Sequence, residues 1–312
     1  MNDLINHDTV QRIWQAHKLG AVRTIQPASR GMNNRATVVN NSCVIRFDLL
    51  DLPEVCRYEG EKLAYERLRV AGIPAPEVVA LDVSKTLAPY HYIILTRCEG
   101  RPLIDDWPDF SAAQRAELGR AAGRYLAMMH EITFDGFGKL SRLATEPWPR
   151  WYDHVEDFLE RFAPGLVARG TLEAAVYERM RAVIQRLRPL VDFTGGGRLV
   201  HSDYQFENLL HHNGVITAII DFEWSIAGDP AWDFKLDEQW DDDCPGSAQY
   251  IHEGYTRVRP LPPDHRLRVW LYKLLHHLDS VDMYAADPDK RIMLVWSQAE
   301  MLRALVALEQ ET

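Results

Sequence analysis

Residues 201–234 read HSDYQFENLLHHNGVITAIIDFEWSIAGDPAWDF. The stretch opens on His-x-Asp at His201 and Asp203, places Asn208 five residues on, and ends an apolar run with Asp221-Phe222-Glu223. Between Leu209-Leu210 and Val215 stands Asn213-Gly214, the strongest short hairpin signal, because Asn and Gly tolerate the positive φ that a type I′ turn needs. That hairpin folds Asp221 back toward Asn208. Asp203, Asn208 and Asp221 then share one neighbourhood. The plainer reading is that Asp203 and Asn208 cap loops and Asp221 ends a strand.

Protein kinases use the same layout: an Asp in a catalytic loop, an Asn that binds Mg²⁺, and a second Mg²⁺-binding Asp just beyond. Phosphoryl transfer asks for positioning and charge neutralisation more than covalent work. On this layout Asp203 is the catalytic base toward a hydroxyl. Asn208 and Asp221 are the metal ligands, offering the hard oxygens Mg²⁺ prefers. His201 braces the loop.

The segment resembles the aminoglycoside phosphotransferase and choline kinase superfamily, small-molecule kinases with a protein-kinase-like fold. Those families carry H-G-D-x-x-x-x-N, then I-D-[FW]-[ED], then G-D-P-x-x-D. The chain matches at His201, Asp203, Asn208, Asp221, Glu223, Gly228, Asp229, Pro230 and Asp233, and departs at Ser202, where Gly is usual. The departure bears on the local backbone. Asp-Phe-Glu in place of Asp-Phe-Gly also leans toward the small-molecule kinases.

Composition sets the outer bounds. The 312 residues are 46% hydrophobic and 26% charged, an ordinary globular balance with ample core for two lobes. A net charge of -10 argues against nucleic acid as the main partner, since phosphate backbones want a basic face. It is compatible with a cationic substrate or simply with a soluble acidic protein. Cys43, Cys56, Cys98 and Cys244 form no C-x-x-C pair, so neither a zinc site nor a disulfide framework is expected. The first residues lack the basic and apolar regions of a signal peptide. No apolar run approaches the ~20 residues that span a bilayer. The expected compartment is cytoplasmic, with no membrane partner.

Residues 8–18 read as a helix, 21–25 as a strand, and 36–39 and 43–47 as a β-rich pair. The loop at 29–34 contains Ser29 and Gly31, whose backbone amides are placed to cover ATP phosphates, although one Gly is a weak signal. Arg46 stands where kinases place the strand basic residue that holds phosphates, and its fork suits them. Residues 57–71 have helical spacing and stop at Gly72-Ile73-Pro74. By the resemblance Glu61 pairs with Arg46; Glu59 is a rival, because one sequence does not set the helix register. A strand at 90–95 runs into Thr96-Arg97-Cys98, a kinase hinge by position, so backbone near Thr96 and Cys98 is expected to bind adenine.

Beyond Gly100 the pattern turns helical: 111–132 with Ser111 as N-cap, 148–162, 171–191, 264–285 and 290–309. His130 reads as structural, and Asp229 as the residue that caps or anchors the catalytic segment. Asp237, Glu238, Asp241, Asp242 and Asp243 form an acidic cluster. It either holds a cationic acceptor or is a solvated face. Trp224, Trp232, Trp240 and Trp270 either wall a cation or fill core.

These readings imply an α+β, bilobal protein-kinase-like fold, with a β-rich nucleotide-binding N-lobe (1–99) and a helical catalytic C-lobe (100–312). They imply an ATP- and Mg²⁺-dependent transfer of the γ-phosphate to a small-molecule hydroxyl, an aminoglycoside or other cationic acceptor among the candidates. A non-catalytic pseudokinase and a protein kinase are the alternatives. Acceptor identity and oligomeric state are not written in these motifs.

Overall fold

The computed structural model describes residues 6–27, 34–49 and 56–311. The N-terminal part is a five-stranded antiparallel sheet in the order β1-β2-β3-β5-β4. Its strands are β1 (Ile25–Pro27), β2 (Asn34–Val39), β3 (Cys43–Asp48), β4 (Val78–Asp82) and β5 (Tyr92–Thr96).

Strand periodicity builds the two faces. Successive side chains point oppositely, so Ile45 and Phe47 of β3 and Tyr92 and Ile94 of β5 face one way. There they pack on Val10, Ile13 and Trp14 of helix α1 (His7–Ala16). Ile93 and Leu95 face the other way and join the main core with Tyr65 and Leu68 of helix α2 (Arg57–Val70). Arg46 lies on that second face, which delivers its guanidinium to α2.

The chain crosses to the helical part at Gly100. Its φ is +117°, and a Cβ there would lie 2.3 Å from the His211 carbonyl oxygen, so only glycine fits. Six short strands follow: β6 (Arg101–Pro102), β7 (Gly138–Lys139), β8 (Arg198–Val200), β9 (Leu209–His212), β10 (Val215–Ile219) and β11 (Ile226–Gly228). They form two three-stranded sheets, β10-β9-β6 and β7-β11-β8. The β9–β10 turn is Asn213-Gly214, with φ of +50° and +76°, as a two-residue hairpin requires.

Around these strands lie α3 (Leu103–Asp106), α4 (Ala112–Met129), α5 (Trp151–Ala168), α6 (Ala174–Val191), α7 (Asp237–Asp243), α8 (Ser247–Thr256), α9 (His265–Ala285) and α10 (Arg291–Glu311). Ser111 caps α4 in a full capping box with Gln114. No helix among the described residues is long and apolar enough to cross a membrane.

Several expected boundaries move. The first strand begins at Ile25 rather than 21, because the Asn40 side chain takes the Arg23 and Thr24 amides that a ladder would use. The helix expected over 148–162 starts at Trp151 and continues through Pro164 to Ala168. Its buried face, Leu159, Ala163 and Leu166, outweighs the one backbone bond that proline cannot make. The helix expected over 171–191 begins at Ala174.

Candidate active site

Strand β8 delivers His201, Ser202 and Asp203, and the loop they form is tied down at every residue. The buried Asp233 carboxylate accepts the His201 amide (3.0 Å) and the Ser202 amide (2.7 Å). His130, also buried, donates from Nε2 to the same carboxylate (3.0 Å), and its Nδ1 lies 2.9 Å from the Tyr255 hydroxyl. Burial alone would raise the Asp233 pKa, but the His130 hydrogen bond and nearby positive groups hold it below the ordinary carboxylate value. Lys235 closes the loop from the other side, donating to the Ser202 carbonyl (2.5 Å).

The Asp233 anchor was within reach of the sequence, since it ends the G-D-P-x-x-D match. Asp229 was expected to cap or anchor the catalytic segment; it caps the segment Pro230–Leu236 by accepting the Ala231 amide, and binds Tyr272 and Arg268 of α9. It orients the support behind the loop, and Asp233 holds the loop itself.

Ser202 adopts φ +71°, the left-handed region that favours glycine. Its hydroxyl is buried without a hydrogen-bond partner. Both features cost stability, so Ser202→Gly is expected to stabilise the protein by about 1 kcal/mol. A urea-unfolding midpoint below wild type would refute this.

Asp203 and Asn208 are locked together. Asn208 Nδ2 donates to the Asp203 carbonyl oxygen (2.9 Å) and to its Oδ2 (3.1 Å). That geometry turns the Asn208 amide oxygen away from the Asp203 carboxylate. The Ile220 amide donates to the Asn208 carbonyl (2.9 Å), so the hairpin does return Asp221 to Asn208. His201 spans the same gap, with Nε2 donating to the Ile220 carbonyl (3.0 Å), Nδ1 accepting the Asp203 amide (3.3 Å), and its ring 4.2 Å from Phe222.

The sheet completes the arrangement. Arg46 contacts Glu61 (2.5 Å), Asp221 (2.5 Å) and Glu223 (3.3 Å). Glu61 is buried and Glu59 is exposed, which settles the register between the rivals in favour of Glu61. Burial pushes the Glu61 carboxyl up to about 7 against the pull of Arg46. Burial would lower the Arg46 pKa, but Asp221 and Glu61 hold it well above its ordinary value. Tyr65, one turn beyond Glu61, donates to Glu61 (2.7 Å) and accepts the Asp221 amide (3.0 Å). Arg57 joins Asp48 and Glu223. Neither Tyr65 nor Arg57 stands out in the sequence, where each is one residue of a charged helix.

A family model, described as the phosphotransferase enzyme family, matches residues 24–236, from β1 to the end of the Asp233 anchor segment. The chain belongs to the phosphotransferase enzyme family. Among solved structures, an ADP-bound aminoglycoside phosphotransferase, APH(2'')-Ib, superposes with a TM-score of 0.69 at 17% identity, covering 97% of this chain and 99% of that one. A Thermobifida fusca YX-ER1 protein assigned as a fructosamine-3-kinase gives 0.69 at 18%, covering 96% and 100%. These members share the bilobal protein-kinase-like fold. The Arabidopsis thaliana protein IBR3, named as an acyl-CoA dehydrogenase, is 26% identical over 182 residues, 54% of this chain and 21% of that protein. The chain thus spans about a fifth or less of the curated relatives it matches.

The remaining expected residues divide. Ser29 and Gly31 lie outside the described residues. The Thr96 and Arg97 amides donate to the Glu77 and Ser42 carbonyls, so the Thr96 N–H is engaged within the sheet. The Cys98 amide has no acceptor among the described residues.

Part of the acidic cluster is occupied from within. Asp237 and Glu238 pair with Lys273, Glu238 also pairs with Arg303, and Asp241 accepts the Ala248 amide. The four tryptophans form no common wall. Trp240 and Trp232 are buried in the core, Trp270 carries Lys273 and Arg303 on its ring, and Trp224 stands exposed near Asp221.

Proposed function

We propose that this phosphotransferase moves the γ-phosphate of ATP to a hydroxyl of a small molecule, with Asp203 as the base. One observation carries the reading. Arg46, from the sheet, bridges Glu61 of α2 to Asp221, 175 positions away, beside a locked Asp203–Asn208 pair. Two parts of the chain thus converge on one set of phosphate-directed groups, which a purely structural ion pair would not require.

The donor set fits Mg²⁺. Asn208 and Asp221 would hold it through hard oxygens. When bound, it neutralises charge on the phosphates. Around it, Arg46 holds phosphate oxygens, Glu61 and Tyr65 orient Arg46, and the Cys98 amide faces adenine at the junction of an N-lobe (1–99) and a C-lobe (100–312). Asp203, aligned by Asn208, accepts the acceptor hydroxyl's proton. The ADP held by the solved APH(2'')-Ib supports the nucleotide site. A cationic acceptor, the class that its name suggests, draws no support from Asp237 and Glu238, whose charges are met by Lys273 and Arg303.

Glu61 supplies a pH test. Its carboxylate must be ionised to hold Arg46, and its pKa lies near 7. Protonation as pH falls through that value frees Arg46, so activity is expected to decline below about pH 7. Glu61→Gln is expected to be weakly active with that limb flattened. An unchanged limb in the variant would assign the titration elsewhere. The reading as a whole is tested by ADP release from Mg-ATP over a panel of hydroxyl compounds. Tight Mg-ATP binding by calorimetry without turnover on any of them would favour a binding module.

A further inference from the structure

Asp221 is held at two points, and both holds trace to one oxygen on helix α2. Its carboxylate takes the Arg46 guanidinium at 2.5 Å, and Arg46 in turn donates to Glu61 Oε1. Its backbone amide donates to the Tyr65 hydroxyl at 3.0 Å, and that hydroxyl donates to the same Glu61 Oε1 at 2.7 Å. The direction of each bond is forced. An amide N–H can only donate, so the Tyr65 oxygen accepts, and the hydroxyl's single proton goes to the carboxylate. Chained in this way, the bonds polarise and strengthen one another.

The amide hold answers a specific need. Strand β10 ends at Ile219, and the Ile220 amide is taken by the Asn208 carbonyl. Asp221 then turns to φ +71°, a left-handed conformation that a residue with a Cβ keeps where its surroundings over-determine it. Beyond the strand ladder, Tyr65 is the acceptor that meets the Asp221 amide. Arg46 does not fix this turn, because it grips the carboxylate, and side-chain rotation separates the carboxylate from the backbone.

Tyr65 is itself firmly placed. Its ring is buried one helical turn beyond Glu61, with the Phe222 ring edge-on at 5.5 Å between centres. Helix α2 is seated closely on the helical part of the chain. At Gly60 a Cβ would lie 2.6 Å from the Ser141 backbone nitrogen, so the helix backbone rests against residues 140–141.

We propose that Tyr65 is a positioning residue for metal binding: through the Asp221 amide, its hydroxyl fixes the backbone turn from which the Asp221 carboxylate holds Mg²⁺. The ring fills the core, and the hydroxyl serves the metal ligand. The inference rests on the phosphotransferase reading, with Asp221 as a metal ligand, and adds the residue that sets that ligand's backbone.

Tyr65→Phe keeps the ring and its packing on Phe222 and removes the hydroxyl alone. Calorimetry of AMP-PNP binding, once with Mg²⁺ and once with EDTA, gives the factor by which the metal tightens nucleotide binding. Losing an outer partner of a metal ligand typically weakens metal binding about 10–100-fold, so that factor is expected to fall by about tenfold or more in the variant. The affinity in EDTA is expected to hold, which shows that the variant is folded and that Arg46 still meets the phosphates. Hydrogen–deuterium exchange over residues 219–224, measured without metal or nucleotide, is expected to quicken, because the Asp221 amide has lost its acceptor. An unchanged metal factor or unaltered exchange would overturn the assignment and leave the phosphotransferase standing. Equal losses with Mg²⁺ and with EDTA would also overturn it, and would confine Tyr65 to orienting Arg46. Failure of the wild type to bind AMP-PNP under either condition would overturn the phosphotransferase reading as well.

Discussion

Asp233→Ala is expected to destabilise the protein by about 3–5 kcal/mol, the range for breaking a buried charged network by removing one member. The carboxylate receives the His201 and Ser202 amides and the His130 ring. Alanine leaves three buried donors without acceptors, each costing about 1–3 kcal/mol. It also frees the backbone that aims Asp203, so activity should fall even at temperatures where the variant stays folded. Because the loss is a large fraction of the 5–15 kcal/mol typical of a domain, urea unfolding monitored by tryptophan fluorescence will resolve it. A midpoint equivalent to within about 0.5 kcal/mol of wild type would mean the carboxylate is not the anchor. The pH dependence has a definite sign. The Asp233 pKa is lowered on folding, so its stabilisation is complete above the ordinary carboxylate pKa and is lost only as pH falls through the lower folded value.

Asp203→Ala is expected to lower kcat about 10²–10⁴-fold, the usual contribution of a positioned base, with little change in stability or in KM for ATP. The reasons are geometric. Asp203 is only partly buried, and its side chain's hydrogen bond is to Asn208, so its removal leaves the core intact. Arg46, Glu61 and Asp221 form their own ion-paired group and are untouched. A variant that lost ATP affinity instead would place Asp203 among the phosphate-holding groups. Steady-state kinetics with a thermal melt of the same preparation separates the two outcomes.

The two predictions fall on residues of very different legibility. Asp203, Asn208 and Asp221 were readable because their spacing and the Asn213-Gly214 turn are local: a hairpin of known geometry brings the ends together without help from the rest of the chain. Arg46 was readable because it stands where kinases place a strand basic residue. Its partner became readable only once the α2 register was known, since burial separates Glu61 from Glu59 and nothing in the local charge pattern does. The Asp233 anchor was visible as a motif letter, but the donors it accepts from are backbone amides 31 and 32 residues away, and sequence does not display backbone hydrogen bonds. The acidic stretch at 237–243 stayed open between a cation site and a solvated face because the partners of Asp237 and Glu238, Lys273 and Arg303, arrive from α9 and α10. The tryptophans stayed open between a cation wall and core because their burial is decided by packing between distant helices. The helix expected to end at 162 runs on past Pro164 to Ala168, carried by an apolar face that only the packing displays.

The strained Ser202 shows why motif departures merit a structural reading. The family's glycine position needs φ > 0, and this chain meets the requirement with serine at a cost in strain and an unpartnered hydroxyl. The loop keeps its shape because Asp233 and Lys235 hold its amide and carbonyl from opposite sides.

The most direct test of the central claim is ³¹P NMR of a reaction containing Mg-ATP and a hydroxyl compound, run with the wild type and with Asp203→Ala. The account predicts a phosphate monoester resonance growing in step with ADP in the wild type and absent from the variant over the same time. ADP appearing with free phosphate alone, or a monoester formed equally fast by the variant, would contradict it.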